Sequence, residues 1–449
     1  MIAESPTFTI QQEFDSDKLN QTPRPYQWED AEFLRDKKKA IIAHPPGLGK
    51  TLSAMMAAAD GDSIGIACPS YLVEHWWDEI RAQFPDDSVV LASGTRNNRQ
   101  GALNVAERAK WTIFNHQMLR FNRVLGPREV PTRKDLKFQF PEFDTLIYDE
   151  SHHFRNRSSQ QARAAKALAH ASERVFLLTG TPIMKEADDL FMQLSIIDPL
   201  TFTSYWQFIN TYCQTYTSRY GTEVYGQRGT LLKRLMDRYG RRCTYDEVGL
   251  YLPKIINNFV RVNFTPEHKK AYVSARDAFR VNDIWLENSM QVMHVLRALT
   301  GVQEKIQTTI ELAQDMDKFL IFTWYRHHAK ALAQALDATL IISEEVSPNE
   351  RKALVAKSER VVCTIGSLSE GVDASHLRNV IFFEEHWTPG SIYQATKRVQ
   401  RWSEQAEAAD TPINMYFVLV KETVDESIHR IQDRRGVNIK DIIKEEMSR

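Results

Sequence analysis

Two short stretches of the sequence hold residue types that handle phosphate. In AIIAHPPGLGKTLSAMMAAA (40–59) an apolar run leads into a turn with Gly47 and Gly49, and Lys50 and Thr51 open the helical stretch that follows. That order aims backbone N–H groups and a positive helix end at phosphates, while Lys50 reaches the terminal phosphates and Thr51 offers a hydroxyl to Mg²⁺. The pattern is imperfect: His44 stands where the general loop has its first glycine, and Pro45 and Pro46 follow it. Further along, TLIYDESHHF (145–154) ends an apolar run on two carboxylates. Asp149 is suited to the Mg²⁺ shell, and Glu150 to orienting or deprotonating an attacking water, the division of labour that phosphoryl transfer requires. Alone, the first motif is also a plain strand–turn–helix and the second a solvated acidic pair. Together they point to nucleoside triphosphate hydrolysis.

These residues need rigid elements behind them, and the hydrophobic pattern supplies two sets. Short apolar runs alternate with helical stretches at AIIA (40–43), IGIA (64–67), VVLA (89–92), TIF (112–114), TLIY (145–148) and VFLL (175–178). A second series follows at FLIF (319–322), TLII (339–342), RVVC (360–363), VIFF (380–383) and MYFVLV (415–420). Buried runs separated by helices predict parallel sheets with covering helices, an α/β protein of two lobes. Residues 200–300 lose the alternation, become aromatic and mostly helical in period, and read as a helical insertion and connector. A length of 449 residues exceeds what one core usually serves, which suits two lobes.

With 43% hydrophobic and 26% charged residues the composition is that of an ordinary globular protein, and no run approaches a membrane span. The beginning, MIAESPTFTIQQEFDSD, lacks the basic flank and apolar stretch of a signal peptide, so the chain is expected to stay inside a cell. Cys68, Cys213, Cys243 and Cys363 lie too far apart for a redox or zinc pattern and are expected to be buried or idle. The net charge of −1 conceals local segregation. Arg228, Lys233, Arg234, Arg238, Arg241 and Arg242 face the single acid Asp237 in one run, and Arg120 to Lys137 is a second basic run. Arg241 and Arg242 are accordingly candidates for nucleic-acid phosphates, with a solvated charged face as the alternative.

From about Arg24 to Arg435 the motifs resemble those of superfamily-two helicases, and specifically the Swi/Snf-type DNA translocases. RPYQ (24–27), CPSYLVEHWWDEI (68–80), DESHHFRN (149–156) and LLTGTPI (177–183) resemble the first-lobe motifs, while SYWQFINTYC (204–213) and RRCTYDEVGLYLP (241–253) resemble family-specific segments. GSLSEGVDASHLRNVIFFEEHWTPGSIYQATKRVQRW (366–402) resembles the last two motifs. The resemblance implies two RecA-like lobes using ATP and Mg²⁺, with Arg24 and Gln27 at the adenine and Gly180, Thr181 and Gln394 coupling hydrolysis to lobe movement. It further implies nucleic-acid contacts at Ser70, His75, Thr364, Ser367 and Trp387. Gln394, Arg398 and Arg401 repeat at helical spacing on one face, and the family match makes Arg398 and Arg401 the pair that reaches the γ-phosphate. Departures are Trp402, Ser403 and Glu404 in place of isoleucine, glycine and glutamine, Glu344 and Glu345 near a missing glycine, and Glu370 for a small residue.

The expected organisation is an extension at 1–23, an ATP-binding lobe at 24–197, the helical insertion at 198–300 and a helicase C-terminal lobe at 301–449. The resemblance implies a monomeric DNA-dependent ATPase that translocates on duplex or branched DNA and remodels forks, without a membrane. Local matches lean toward the annealing-helicase branch, and a motor of this compact length resembles bacterial cytoplasmic or phage-encoded versions. Two other readings stay open: an ATPase subunit of a larger restriction or transcription-recycling assembly, and an ATP-gated DNA clamp.

Overall fold

The structure is a computed structural model that describes residues 19–122, 131–184, 186–218, 221–278, 280–281, 284–285, 289–368, 372–386, 389–405 and 409–433. The chain divides into two compact units, the first ending at Val248 and the second starting at Gly249. Among the described residues no helix is long and apolar enough to cross a membrane.

The first unit begins with α1 (Pro25–Lys37), β1 (Lys39–Ile42), α2 (Lys50–Ala58), β2 (Ile64–Cys68), α3 (Val73–Gln83), β3 (Val89–Ala92), α4 (Arg96–Val105) and β4 (Trp111–Asn115). It continues with β5 (Thr145–Tyr148), α5 (Gln160–Ala169), β6 (Arg174–Leu178), α6 (Asp189–Ile197), α7 (Tyr205–Tyr212), β7 (Cys213–Ser218), β8 (Gly221–Gln227), α8 (Gly229–Tyr239) and β9 (Gly240–Arg241). The sheet order is β3-β4-β2-β5-β6-β1-β9, and every pairing is parallel. Apolar residues on both sides of these strands follow from helices covering both faces. Ala40 and Ile42 of β1 join Phe176 and Leu178 of β6 in one core, while Ile41, Val175 and Leu177 join Phe114 and Tyr148 in the other. The period of two in a strand thus builds both cores at once.

The second unit holds β10 (Ile255–Val262), α9 (Pro266–Ala278), β11 (Arg280–Val281), β12 (Ile284–Trp285), α10 (Ser289–Leu299), α11 (Gln303–Gln314), β13 (Phe319–Thr323) and α12 (Arg326–Leu336). Then come β14 (Thr339–Ile341), α13 (Pro348–Lys357), β15 (Arg360–Thr364), β16 (Asn379–Phe382), α14 (Pro389–Val399), β17 (Ile413–Val420) and α15 (Val424–Asp433). Its sheet order is β10-β17-β16-β13-β15-β14, again parallel throughout. Leu320 and Phe322 face one core and Phe319 and Ile321 the other.

The segment expected as a helical insertion is instead divided between the units. Phe202, Phe208, Ile209, Leu232, Leu235 and Tyr239 are buried in the same core as Ile41 and Phe114, and the Tyr239 hydroxyl donates to Asp198 at 2.6 Å. β7 and β8 form an antiparallel hairpin, and β9 extends the first sheet beyond β1. Among the described residues β10 is an edge strand of the second sheet, paired only to β17. An edge strand needs no continuous apolar run, and the exposed Asn257 with the half-buried Asn258 hid this one from a search for buried strands.

The second unit also buries an ion pair, Lys305 Nζ to Asp425 Oδ2 at 2.6 Å, beside the Phe383 ring. The Thr300 hydroxyl and the Val420 amide donate to the same carboxylate, at 2.9 and 3.2 Å. Removing one partner of such a pair strands a buried charge, so Lys305→Met should destabilise this unit by about 3–5 kcal/mol, toward the lower figure because those two donors remain. Adding Asp425→Asn should recover part of the loss. Denaturant unfolding of the three proteins measures both effects, and a Lys305→Met midpoint equal to that of the parent would contradict them.

Candidate functional site

β1, β2, β5 and β6 are neighbours, and a parallel sheet brings their carboxyl ends to one edge, so the loops leaving them meet. The loop after β1 turns on Gly47 (φ +84) and Gly49 (φ +66), the left-handed values that glycine adopts without strain, before α2 starts at Lys50. α1 braces the loop from outside. The Arg24 amide donates to Gln27 Oε1 at 2.8 Å, Gln27 Nε2 donates to the Gly49 carbonyl at 3.2 Å, and the Tyr26 hydroxyl donates to the Leu48 carbonyl at 3.1 Å. Burial pushes the Tyr26 phenol up to about 12, which keeps it a donor. A side chain at Gly49 would collide with the Gln27 amide. Gln27 is therefore held against the loop backbone. Lys50 Nζ lies 3.0 Å from the His44 carbonyl and 3.4 Å from that of Pro45, Gly47 is exposed, and Thr51 is half-buried at the first turn of α2.

After β5 the chain places Asp149 in a buried position, where Trp76 Nε1 donates to Oδ2 at 2.9 Å and the Glu150 amide to Oδ1 at 2.8 Å. Burial, then the Glu150 carboxylate, push Asp149 up to about 6, against the pull of Trp76 and the positive charge of Lys50. Glu150 itself has φ +47, a left-handed conformation that costs a non-glycine residue energy and is common at working sites. Its Oε2 is 3.1 Å from His152 Nδ1, which also lies 3.2 Å from Thr179 Oγ1. The Thr181 amide donates to that same Thr179 oxygen at 3.1 Å. Ser151 donates to Gln193 Oε1 at 2.9 Å, and Gln193 Nε2 donates to the Pro182 carbonyl at 2.8 Å. Gly180 closes the circuit: a Cβ there would stand 3.3 Å from the Pro46 ring. The phosphate loop, the acidic motif and Gly180–Thr181 are thus one packed, hydrogen-bonded arrangement.

Trp76, His152, Thr179, Gln193 and His116 were not singled out from the sequence. None carries a local sequence signature, and only the fold buries them around the carboxylates. Burial, then neighbouring His153, push His116 down to about 3, so the ring stays neutral while Nε2 lies 3.2 Å from the Ala67 carbonyl. All four cysteines are buried and free. Among the described residues no group of three or more histidines, cysteines or carboxylates is arranged to hold a metal ion.

The residues expected at nucleic acid are placed unequally. Ser70 is exposed in the turn after β2, and His75 on α3 stands 4.0 Å from Glu79. α8 is amphipathic: Leu232, Leu235 and Tyr239 face the core, whereas Lys233, Arg234 and Arg238 are exposed, as are Arg228 and Arg242. Arg241 departs from this row. Its Nε donates to Asp30 Oδ1 at 2.8 Å and its other nitrogen pairs with Glu29, so the guanidinium serves the interior of its own unit. The half-buried guanidinium is drawn to these two carboxylates of α1, which a tally of charges could not reveal. Part of the run from Arg120 to Lys137 lies outside the described residues.

In the second unit Ser367 is buried, with its hydroxyl 2.5 Å from Thr364 Oγ1 and 3.0 Å from the Ser343 hydroxyl. Arg351, unremarked in the sequence, ties this turn together by donating to the carbonyls of Ser343, Val346 and Ser367 at 2.9, 2.9 and 3.2 Å. Gln394 is half-buried and Arg398 buried on α14, but the helix ends at Val399. Arg401 therefore does not continue the helical face expected for the three residues. It donates to the Val372 carbonyl at 3.3 Å and lies 3.7 Å from Asp373. Trp387, Ser369, Glu370 and Gly371 lie outside the described residues. Glu384 and Glu385 are buried in an ionic cluster, not exposed: Glu384 takes the Trp324 and Tyr325 amides at 2.7 and 3.0 Å and His328 at 2.9 Å, and Glu385 takes His429 at 2.9 Å. Burial raises both carboxyls, and at Glu384 His328 and Lys305 outweigh it and hold the group below the usual range.

Comparison with known proteins gives the frame for these sites. Residues 26–314 match the SNF2-related domain, and residues 303–403 match the helicase conserved C-terminal domain. A DNA annealing helicase and endonuclease ZRANB3 from Bos taurus is 24% identical across 95% of this chain, which spans 41% of that protein. A SWI/SNF-related matrix-associated actin-dependent regulator of chromatin subfamily A-like protein 1 from Xenopus tropicalis is 24% identical across 91% of this chain and 44% of its own length. The chain thus spans less than half the length of these relatives. They come from animals and lend nothing to the expectation of a bacterial or phage source. Among solved structures, the Sulfolobus solfataricus SWI2/SNF2 ATPase core in complex with dsDNA is 19% identical, with a TM-score of 0.43 over 97% of this chain and 96% of that one. Because the SNF2-related match alone runs from residue 26 to residue 314 of 449, the chain belongs to the SNF2-related family, with the helicase C-terminal domain following it.

Proposed function

We propose that this chain is a DNA-dependent ATPase that converts ATP hydrolysis into movement along duplex or branched DNA, in fork remodelling and branch migration during replication, recombination or repair. One observation carries the reading. A glycine loop with its lysine leaves the end of β1, and a carboxylate pair, Asp149 buried and Glu150 half-buried, leaves the end of β5 with only β6 between them in the same sheet, near enough for the charge of Lys50 to act on Asp149. Thr51 and Asp149 present hard oxygen donors of the kind Mg²⁺ takes, and a carboxylate held up by burial gains from a nearby cation. When bound there, Mg²⁺ would neutralise phosphate charge. Gly47, Gly49 and Lys50 bind the phosphates, and Gln27 with Arg24 borders the base. Glu150, oriented by His152, positions the attacking water. Close contacts of His152 Nδ1 with both Glu150 and Thr179, and the Thr181 amide on that threonine, connect the site to the coupling motif. Arg398 and Arg401 are assigned to the charge that builds on the terminal phosphate, and Gln394 to coupling. Ser70, His75, Thr364, Ser367 and Trp387 are assigned to the DNA backbone.

The name of the Bos taurus relative, a DNA annealing helicase, supports annealing over strand separation. Exchanging arms at a junction breaks and forms base pairs in equal number, so ATP need only bias direction. Acting on DNA puts the protein inside a cell.

Three outcomes test the reading. Steady-state ATPase should rise with duplex, forked and four-way DNA more than with RNA, and a mobile four-way junction should be resolved faster than a tailed duplex of equal length. Faster release from the tailed duplex would restore a conventional helicase, and stimulation confined to RNA would remove the DNA assignment. Lys50→Ala should lose nucleotide binding, whereas Glu150→Gln should bind nucleotide and lose roughly 10²-fold or more in turnover. Normal turnover in either would defeat the site. Reversing Lys233, Arg234 and Arg238 should reduce the log–log salt slope of DNA binding by about 0.9 for each phosphate that is no longer neutralised. An unchanged slope would make that face merely solvated.

A further inference from the structure

His44 occupies the position where the general phosphate loop has a glycine, and it is fully buried with both ring nitrogens engaged. The Cys243 amide donates to Nδ1 at 3.1 Å; an amide can only donate, so Nδ1 presents its lone pair and the hydrogen sits on Nε2. Nε2 then donates to Asp30 Oδ2 at 2.8 Å. Asp30 is a buried node: the Ser53 hydroxyl of α2 donates to the same oxygen at 3.1 Å, and Arg241 Nε to the other at 2.8 Å. One carboxylate therefore holds α1, the phosphate loop, the helix after it and the segment that leaves the first unit.

That segment is fastened to the loop at alternate residues. The Ala43 amide donates to the Arg241 carbonyl at 2.9 Å, the Cys243 amide to the His44 ring, and the Tyr245 hydroxyl to the Pro46 carbonyl at 2.7 Å. Residues 241, 243 and 245 thus face residues 43, 44 and 46. The chain passes into the second unit at Gly249, whose φ is +69. Meanwhile Lys50 Nζ rests on the carbonyls of His44 and Pro45, the same stretch that the segment grips. When Lys50 turns to a phosphate, those two carbonyls lose its donors and the loop must readjust.

We propose that His44 is a positioning residue that makes the phosphate loop and the segment Gly240–Tyr245 one hydrogen-bonded body, so that nucleotide in the loop is felt by the segment leading to the second unit. This rests on the nucleotide-binding reading above. A glycine at position 44 could not supply either ring hydrogen bond. Asp30 and Arg241 keep the imidazole in its tautomer, and Arg241 thereby has an internal role distinct from the exposed basic row of α8.

The test is hydrogen–deuterium exchange on the full chain, with and without ADP or a non-hydrolysable ATP analogue plus Mg²⁺, following peptides over 45–51 and 240–248 separately. Nucleotide should slow exchange in both, by roughly 5-fold or more in the segment if the coupling is of ordinary allosteric size. His44→Leu should keep the slowing in the loop and lose it in the segment, and His44→Asn, whose amide oxygen can accept from Cys243, should restore part of it. Tyr245→Phe removes a single hydroxyl and serves where His44→Leu does not fold; it should weaken the segment response by roughly 2-fold or more. Slowing in the loop alone in the parent chain would overturn the proposal and leave the nucleotide site standing, as would an undiminished segment response in His44→Leu. No slowing in either peptide would remove the nucleotide reading and this proposal with it.

Discussion

In a parallel sheet each strand is entered from the same end, so every loop that leaves a carboxyl end is delivered to one edge of the sheet. In the first unit that edge carries the loop after β1, the turn after β2, the acidic motif after β5 and Thr179–Thr181 after β6. Burial makes the arrangement stiff. β2, β4 and β5 are buried along their whole lengths, and side chains alternate between two cores. A one-residue slip in any of them would exchange the two cores' contents, so register, and with it the position of each functional loop, is strongly determined.

Such a framework leaves polar groups in dry surroundings, and this protein uses them as links. Asp30, Asp149 and Glu384 are buried carboxylates: Asp30 takes donors from three segments, Asp149 from α3 and its own neighbour, and Glu384 from the stretch Trp324–His328. Burying a charge is expensive unless it is paired and hydrogen-bonded, so a shift in any one donor is felt by the others. In the first unit these links join α1, the phosphate loop, the acidic motif and the segment after α8. The same physics that stabilises the unit therefore makes the state of the loop legible at its edges.

Strands buried on both faces were legible in the sequence because they are continuous apolar runs: TLIY, VFLL and FLIF lie in sheet strands, as does AIIA up to Ile42. The placement of Lys50 and Thr51 after a glycine turn, and of Asp149 and Glu150 at a strand end, was legible for a related reason, since such turns and strand-end acids leave a local signature. β10 was not, because an edge strand with Asn257 and Asn258 has no such run. Nor were the partners of the site: Trp76 precedes Asp149 by 73 residues and Arg241 follows Asp30 by 211, and only folding brings them together. Arg241 is the sharpest case. Arg238 and Arg242 beside it in the run are exposed cations, whereas its own guanidinium is paired with Asp30 and Glu29. Arg401 likewise shares a spacing with Gln394 and Arg398, yet the helix stops before it.

The central claim is that hydrolysis at the first-unit site drives travel along DNA, and displacement of a third strand from a triplex tests it most directly. The third strand lies ahead of the motor on intact duplex, so its release reports movement without requiring base pairs to open. A translocating motor should release the strand with ATP, more slowly as the duplex leading to it is lengthened, and should release none with Glu150→Gln. ATP hydrolysis that continues while the third strand stays in place would contradict the claim and identify a clamp that changes grip without travelling.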